Sequence, residues 1–154
     1  MIARRHTLGL ALAICLSAPA WAQEKGSKAD ATAMLDAAMA HIKKVGREKA
    51  FADFNTDKAS WTKKDLYVIG FTMNGIAVVN GANAKMVGKD FSEMKTPSGM
   101  FTVVEMAKQA KASAAGGWVD YDWANPTTKK VEGKSTLVRK VPDFDGFIGV
   151  GIYR

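Results

Sequence analysis

Apolar residues change their spacing along this chain, and each change predicts an element. Ala31, Leu35, Ala38, Met39, Ile42 and Val45 recur at intervals of about three and four, the period of one face of an α-helix. Lys43 and Lys44 near the end, with Gly46 just beyond, form a helix stop signal. Arg47 to Phe54 predicts a second short helix carrying Phe51 and Phe54 and closed by Asn55. His41 falls between the apolar stripe and the polar face, a boundary position rather than a ligand. Beyond Lys64 the period drops to two. Leu66 to Met73 is rich in aromatic and β-branched residues, Asn74-Gly75 is a hairpin turn signal, and Ile76 to Val79 returns as the partner strand.

The middle of the chain is less regular. Asn80 to Lys89 reads as loop, with Gly81, Asn83 and Gly88 as punctuation, and Pro97-Ser98-Gly99 as a turn. Phe101 to Ala114 fits a helix with Val104, Ala107 and Ala110 on one side and Gly116-Gly117 as its stop. Its first residues, Phe101-Thr-Val-Val, read equally as strand. Trp118 to Trp123, Lys134 to Val141 and Phe147 to Tyr153 then follow as three strands joined by turns at Asn125-Pro126 and Pro142 to Gly146. Sequential strands with short connections make an antiparallel meander. Hairpin and meander together predict an α+β fold: a central antiparallel sheet of about five strands with the long N-terminal helix packed on one face. No internal repeat and no dividing linker appear, so residues 30–154 form one domain.

The first 22 residues stand apart. Arg4 and Arg5 precede the apolar run Leu8 to Leu16, which leads to Ala20-Trp21-Ala22. A charged start, a short apolar middle and a small-x-small end describe a secretory signal peptide with cleavage after Ala22. The run is too short to span a membrane, which takes about 20 apolar residues. Removing these 22 of 154 residues leaves 132, beginning with a flexible segment over 23–29. The expected location is periplasmic.

Removing the leader changes what chemistry remains. It takes two arginines and no acid, so 22 basic residues become 20 against 15 acidic ones, and the net charge falls from +7 to about +5. The basic residues are scattered in pairs, with no basic and aromatic stripe, so nucleic acid is not expected as a partner. The only cysteine, Cys15, and one of the two histidines, His6, also lie in the leader. Thiol catalysis, iron–sulfur ligation and Cys-type zinc sites are excluded from the remainder, and so is a multi-histidine metal site. No His-Glu-x-x-His, P-loop or Gly-x-Ser-x-Gly pattern is present. Asp143-Phe-Asp-Gly146 imitates the start of a calcium loop but lacks the closing glutamate. No catalytic residue, metal or cofactor is expected.

Strand alternation places Asp120 and Asp122 on one face of their strand and Tyr121 and Trp123 on the other. Two aromatic side chains with polar tips suit the wall of a small-molecule pocket, and they read equally as ordinary core. Lys134, starting the next strand, can lie across the turn from this aromatic face. There it could meet a carboxylate as a point charge, or it could keep a strand edge soluble.

Gly117-Trp-Val-Asp-Tyr-Asp-Trp-Ala-Asn-Pro, Lys134 and Gly149-Val-Gly-Ile-Tyr153 together resemble the single Cache domains of bacterial extracytoplasmic sensors, in the second of their sequence types. Gly46-Arg-Glu-Lys-Ala-Phe51, Asp65-Leu-Tyr67-Val, Asn74-Gly75 and Val87-Gly-Lys-Asp90 resemble earlier parts of the same pattern. The resemblance runs over about residues 30 to 153. It implies a PAS-like, profilin-like architecture with a ligand held on the sheet face opposite the long helix. It also implies small organic ligands, often short carboxylates such as acetate, propionate, pyruvate or lactate. Matched positions give Tyr121, Trp123 and Lys134 as pocket residues, followed by Tyr67, Phe71 and Asn80. Three positions depart from the pattern: Asn80 where a histidine is frequent, Thr96 where an aspartate is, and Leu137 where a tyrosine is.

The expected function is therefore that of a stand-alone periplasmic module binding a small, anionic organic ligand for sensing. Its expected partners are that ligand and a membrane-bound sensor or transporter. The alternative is an accessory subunit of a membrane sensor or redox complex with no ligand of its own. No enzymatic activity is expected.

Overall fold

The computed structural model describes residues 24–154; the leader and its cleavage point lie outside the described residues. Helix α1 spans Lys28–Val45, starting ahead of the expected domain boundary at 30. Its start is written in the sequence. The Ser27 hydroxyl accepts from the Asp30 N–H at 3.1 Å, and the Asp30 carboxylate accepts from the Ser27 N–H at 2.9 Å. This capping box satisfies donors that a helix start otherwise leaves open. Ala31, Leu35, Ala38 and Ile42 are the buried stripe, as their spacing predicts. Gly46, at φ 86°, ends the helix in a conformation open to a residue without Cβ. The chain turns directly into α2, Arg47–Thr56, which buries Ala50 and Phe54. A one-turn helix α3, Lys58–Trp61, and a two-residue strand β1, Thr62–Lys63, follow; neither is long enough to leave a periodic signal.

The remaining elements are β2 (Leu66–Thr72), β3 (Ala77–Asn80), α4 (Thr102–Ala112), β4 (Gly117–Ala124), β5 (Val131–Lys140) and β6 (Gly146–Tyr153). All strand pairs are antiparallel. The order is β1-β2-β6-β5-β4, with β3 also on β2. The sheet thus has six strands, the expected five and the short β1. The last strand, β6, is central. It joins the early hairpin to the late meander through Val68↔Val150 on one side and Leu137↔Val150 on the other.

Side-chain alternation divides the core between two faces. On one face, Leu66, Val68, Val79, Leu137, Ile148 and Val150 pack under α1 and α2. On the other, Tyr67, Ile69, Phe71, Val119, Tyr121, Val138 and Phe147 pack under α4. The choice left open over Phe101–Val104 resolves as helix from Thr102 onward. The inward stripe is Val103, Met106, Ala107 and Ala110, while Val104 is 54% exposed. The expected grouping of Val104 with Ala107 and Ala110 is therefore corrected. Val103 completes the three–four spacing with Met106, Ala107 and Ala110, and one helical step of about 100° turns Val104 to solvent. The segment between β3 and α4 crosses the same face with a 3-10 turn at Ala84–Met86. No helix of the described residues is long and apolar enough to cross a membrane.

Candidate functional site: a lysine-based chamber

The face under α4 is not fully packed. A chamber there is bounded by Tyr67, Ile69 and Phe71 of β2, Asn80 of β3, Tyr121 and Trp123 of β4, and Lys134 of β5. Met86, Phe91 and Met94 from the crossing segment and Thr102, Val103 and Met106 from α4 close it. Its cavity volume is about 20 Å³, room for little more than one water molecule. Three of the closing residues are methionines, whose unbranched thioether chains re-pack readily. An open depression lined by Ala82, Asn83, Asn125, Pro126 and Lys129 adjoins the chamber and shares Tyr67, Asn80, Met86 and Trp123 with it. Trp123 and Met86 thus stand between chamber and solvent.

All six residues predicted from the sequence, Tyr121, Trp123, Lys134, Tyr67, Phe71 and Asn80, lie on this one chamber. Strand register brings them there. Tyr121 faces Lys134 across β4 and β5, and Asn80 faces Ile69 across β3 and β2. Tyr121 and Trp123 meet edge to face at 6.2 Å. Phe71 stands edge-on to Phe91 at 5.6 Å. The Asn80 carbonyl accepts from the Asn83 N–H at 2.9 Å, and its amide group reaches the Met86 sulfur at 3.3 Å. Asp120 and Asp122, the opposite pair on β4, are exposed away from the chamber. Two of the three departures from the family pattern lie off the chamber. Leu137 packs under the other face, and the Thr96 hydroxyl is used within its own turn by Ser98 and the Met100 N–H.

Lys134 is the unusual member. Only 2% of it is exposed, although strands usually carry lysine at their edges. Its Nζ donates to Tyr67 Oη at 2.7 Å and, more weakly, to Tyr153 Oη at 3.4 Å. The same ammonium lies 4.2 Å from the Tyr67 ring centre and 4.7 Å from that of Tyr153, close enough for cation–π attraction. Tyr153 Oη donates to the Ala124 carbonyl at 3.2 Å. Its one proton is thereby committed, so Tyr67 is the donor in the 3.1 Å Tyr67–Tyr153 contact. The result is a directed chain from Lys134 through Tyr67 and Tyr153 to Ala124, and it leaves one N–H of the ammonium for the chamber. Tyr121 Oη is held by the Thr136 hydroxyl at 3.0 Å.

These supports include residues outside the six expected to line the pocket. Tyr153 closes the chain of hydroxyls, and Gly151 makes space. A Cβ on Gly151 would lie 2.6 Å from Lys134 Cε and closer still to Thr136 Oγ1. Alternation along the last strand was the available signal, since Tyr153 and Gly151 share a face with the predicted pocket. Asp65 is the third. Its carboxyl is 8% exposed; Oδ1 accepts from the Gly26 N–H at 2.6 Å, while Oδ2 has no hydrogen-bond partner among the described residues.

The family model described as single Cache domain 2 matches residues 20–154. The chain belongs to this family. The Cache domain resembles three solved structures in fold. A methyl-accepting chemotaxis protein from Vibrio parahaemolyticus has a TM-score of 0.71 and 18% identity, over 82% of this chain and 87% of that one. The periplasmic sensor domain of a chemotaxis protein has a TM-score of 0.62 and 19% identity, over 79% and 85%. A Cache chemosensory domain described for carboxylic acid recognition has a TM-score of 0.61 and 22% identity, over 79% and 80%. Cache domains are sensor domains, and a small-molecule chamber on the face opposite the long helix suits that role.

Electrostatics sets this Cache domain's chamber apart from an ordinary surface. Burial pulls the Lys134 ammonium from its usual 10.5 down to about 7, and the negative charge of Asp65 acts in the opposite direction. Burial also pushes the Tyr67 and Tyr121 hydroxyls well above the usual phenol range. Tyr153 is pushed up to about 12, again mainly by burial. All three phenols are therefore neutral donors and acceptors at physiological pH. The chamber offers one titratable cation, neutral hydroxyl and amide groups, and apolar walls. That set can orient and enclose a small ligand.

Proposed function

We propose that this Cache domain is an exported sensing module that binds a small organic anion, a short carboxylate, without chemistry on it. The observation that carries this reading is the buried Lys134 ammonium at the chamber wall. A charge so far from water is stable only with polar partners, and one N–H remains for a ligand oxygen. Tyr121 and Trp123 enclose the ligand, the Asn80 amide group offers it an N–H, Tyr67 lines the wall beside Lys134, and Phe71 lies against its apolar part. The small free volume favours ligands of two to four carbons, admitted as the methionines re-pack. The leader over residues 1–22, cleaved after Ala22, directs the module to the periplasm. A membrane-bound sensor or transporter there receives its signal.

A thermal-shift panel of two- to four-carbon carboxylates tests this reading. A binder at about 100 times its Kd adds about 2.7 kcal/mol to stability, and Lys134→Met abolishes the shift. A panel in which no carboxylate moves the midpoint, or in which Lys134→Met responds like the parent, overturns the reading.

A further inference from the structure

The surroundings of Lys134 fix what must accompany its ligand. The groups facing it are Tyr67 from β2, Tyr121 from β4 and Tyr153 from β6. β3 contributes the neutral Asn80, and α4 contributes Thr102, Val103 and Met106. None of these carries a negative charge. No acid among the described residues lies within ion-pair distance of Nζ, and residues 1–23 contain no Asp or Glu. Asp65 acts on Lys134 from beyond that distance, with one of its oxygens already committed to Gly26. On its own strand, Glu132 is engaged by Asn125 and Thr128 at the turn. Lys134 therefore sits in a buried, uncharged cage that holds a protonated amine poorly, as its displacement toward neutrality by burial reflects.

We infer that the chamber takes up one monoanionic carboxylate and one proton together, the proton residing on Lys134. This rests on the carboxylate reading above and adds the charge balance of the complex. A carboxylate within hydrogen-bond reach is the first negative group to approach Nζ closely, and it favours the charged form of the amine. Proton affinity and anion affinity are then linked: each ligand raises the affinity for the other by the same factor. The same balance limits ligand charge. Among the described residues Lys134 is the one charged residue on the chamber wall, so a dianion would bury a second charge with no partner.

The test is calorimetric titration of the protein with propionate from about pH 6 to about pH 9, repeated in two buffers of different ionisation enthalpy. Below the pH at which free Lys134 loses its proton, Kd is expected to be flat. Above it, Kd should rise about tenfold per pH unit, with proton uptake approaching one per propionate. Malonate, a dianion of similar size, is expected to bind at least about 100-fold more weakly than propionate. Lys134→Arg, which stays charged, should lose the pH dependence in whatever binding it retains.

Propionate binding with a constant Kd and no proton uptake overturns the inference and leaves the carboxylate reading standing. Malonate binding as tightly as propionate overturns the limit to monoanions. If no short carboxylate binds at any pH, the parent reading falls and this inference falls with it. The Lys134 side-chain carbon resonances, followed against pH in the ligand-free protein, provide an independent measurement. A midpoint near neutrality supports the inference, and one in the range of exposed lysines overturns it.

Discussion

Lys134 has a cost to the fold as well as a use. The folded state holds its proton only up to about pH 7, whereas an exposed lysine in the unfolded chain holds it to about 10.5. Between those limits the unfolded state binds more protons, so stability contributed at this site rises with pH across the window. The slope can reach about 1.4 kcal/mol per pH unit. Below the window, burial of the charged amine opposes folding in full. Lys134→Met keeps most of the volume, removes the charge, and leaves Tyr67 still donating to Tyr153. Urea unfolding in the absence of ligand should find this variant more stable than the parent at about pH 7. Its advantage should shrink toward about pH 10, where the parent lysine folds uncharged. Parallel stability profiles for the two proteins would show that Lys134 is not desolvated in the folded state. The sequence leaves Lys134 open between a pocket cation and a strand-edge lysine. Its burial comes from three tyrosines on three different strands, and no local pattern reports that.

The elements differ in how openly the sequence declares them. Strands β2, β4, β5 and β6 are legible because alternation and β-branched or aromatic composition are local responses to a sheet buried on one or both faces. The α1 stripe and its Gly46 stop are legible for the same reason. The inward face of α4 keeps Ala107 and Ala110 as its spacing suggests but takes Val103 in place of Val104, because the two valines are adjacent and both apolar. Met86, Phe91 and Met94 escape altogether, since an irregular segment has no period from which to infer burial. In β6 the alternating glycines signal crowding, and one of them has a specific use. Gly151 leaves the room that Thr136 and the Lys134 stem occupy on the neighbouring β5. Gly151→Ala puts a methyl group into that space. The expected result is a destabilisation of about 1–3 kcal/mol, the range for overpacking. Carboxylate binding should also be lost as the lysine head is displaced. Urea unfolding reads the first effect and calorimetry with propionate reads the second. Unchanged binding in a folded Gly151→Ala protein would mean that the lysine stem does not need this gap.

Across the whole molecule, Asp65 joins the chamber to the segment leading into α1. Its charge reaches Lys134, Tyr67 and Tyr153, while its Oδ1 holds the Gly26 N–H across 39 positions of sequence. The segment before α1 has other ties, but they are exposed or polar-edge contacts: Lys64 to Glu24 at 3.3 Å, and Lys25 to the Arg154 carbonyl at 3.3 Å. Gly26 is itself tightly seated, since a Cβ there would lie 2.5 Å from Leu66 Cδ2. This long-range bond is illegible in the sequence, where Asp65 is only part of a strand motif and Gly26 part of a polar start. Asp65→Asn keeps the shape of the side chain but removes its charge, with two expected consequences. The bond to Gly26 weakens from a charge-assisted to a neutral one, a loss of about 1 kcal/mol, and hydrogen exchange at the Gly26 amide quickens. At the other end of the same side chain, Lys134 loses the charge that supports its protonated form, so its titration midpoint falls. Amide exchange and lysine resonances measured on one sample would register both changes. Faster exchange at Gly26 with an unmoved Lys134 midpoint would reduce Asp65 to a local clasp for the N-terminal segment. A joint change would make it the residue through which the charge state of the chamber is felt at the start of the long helix.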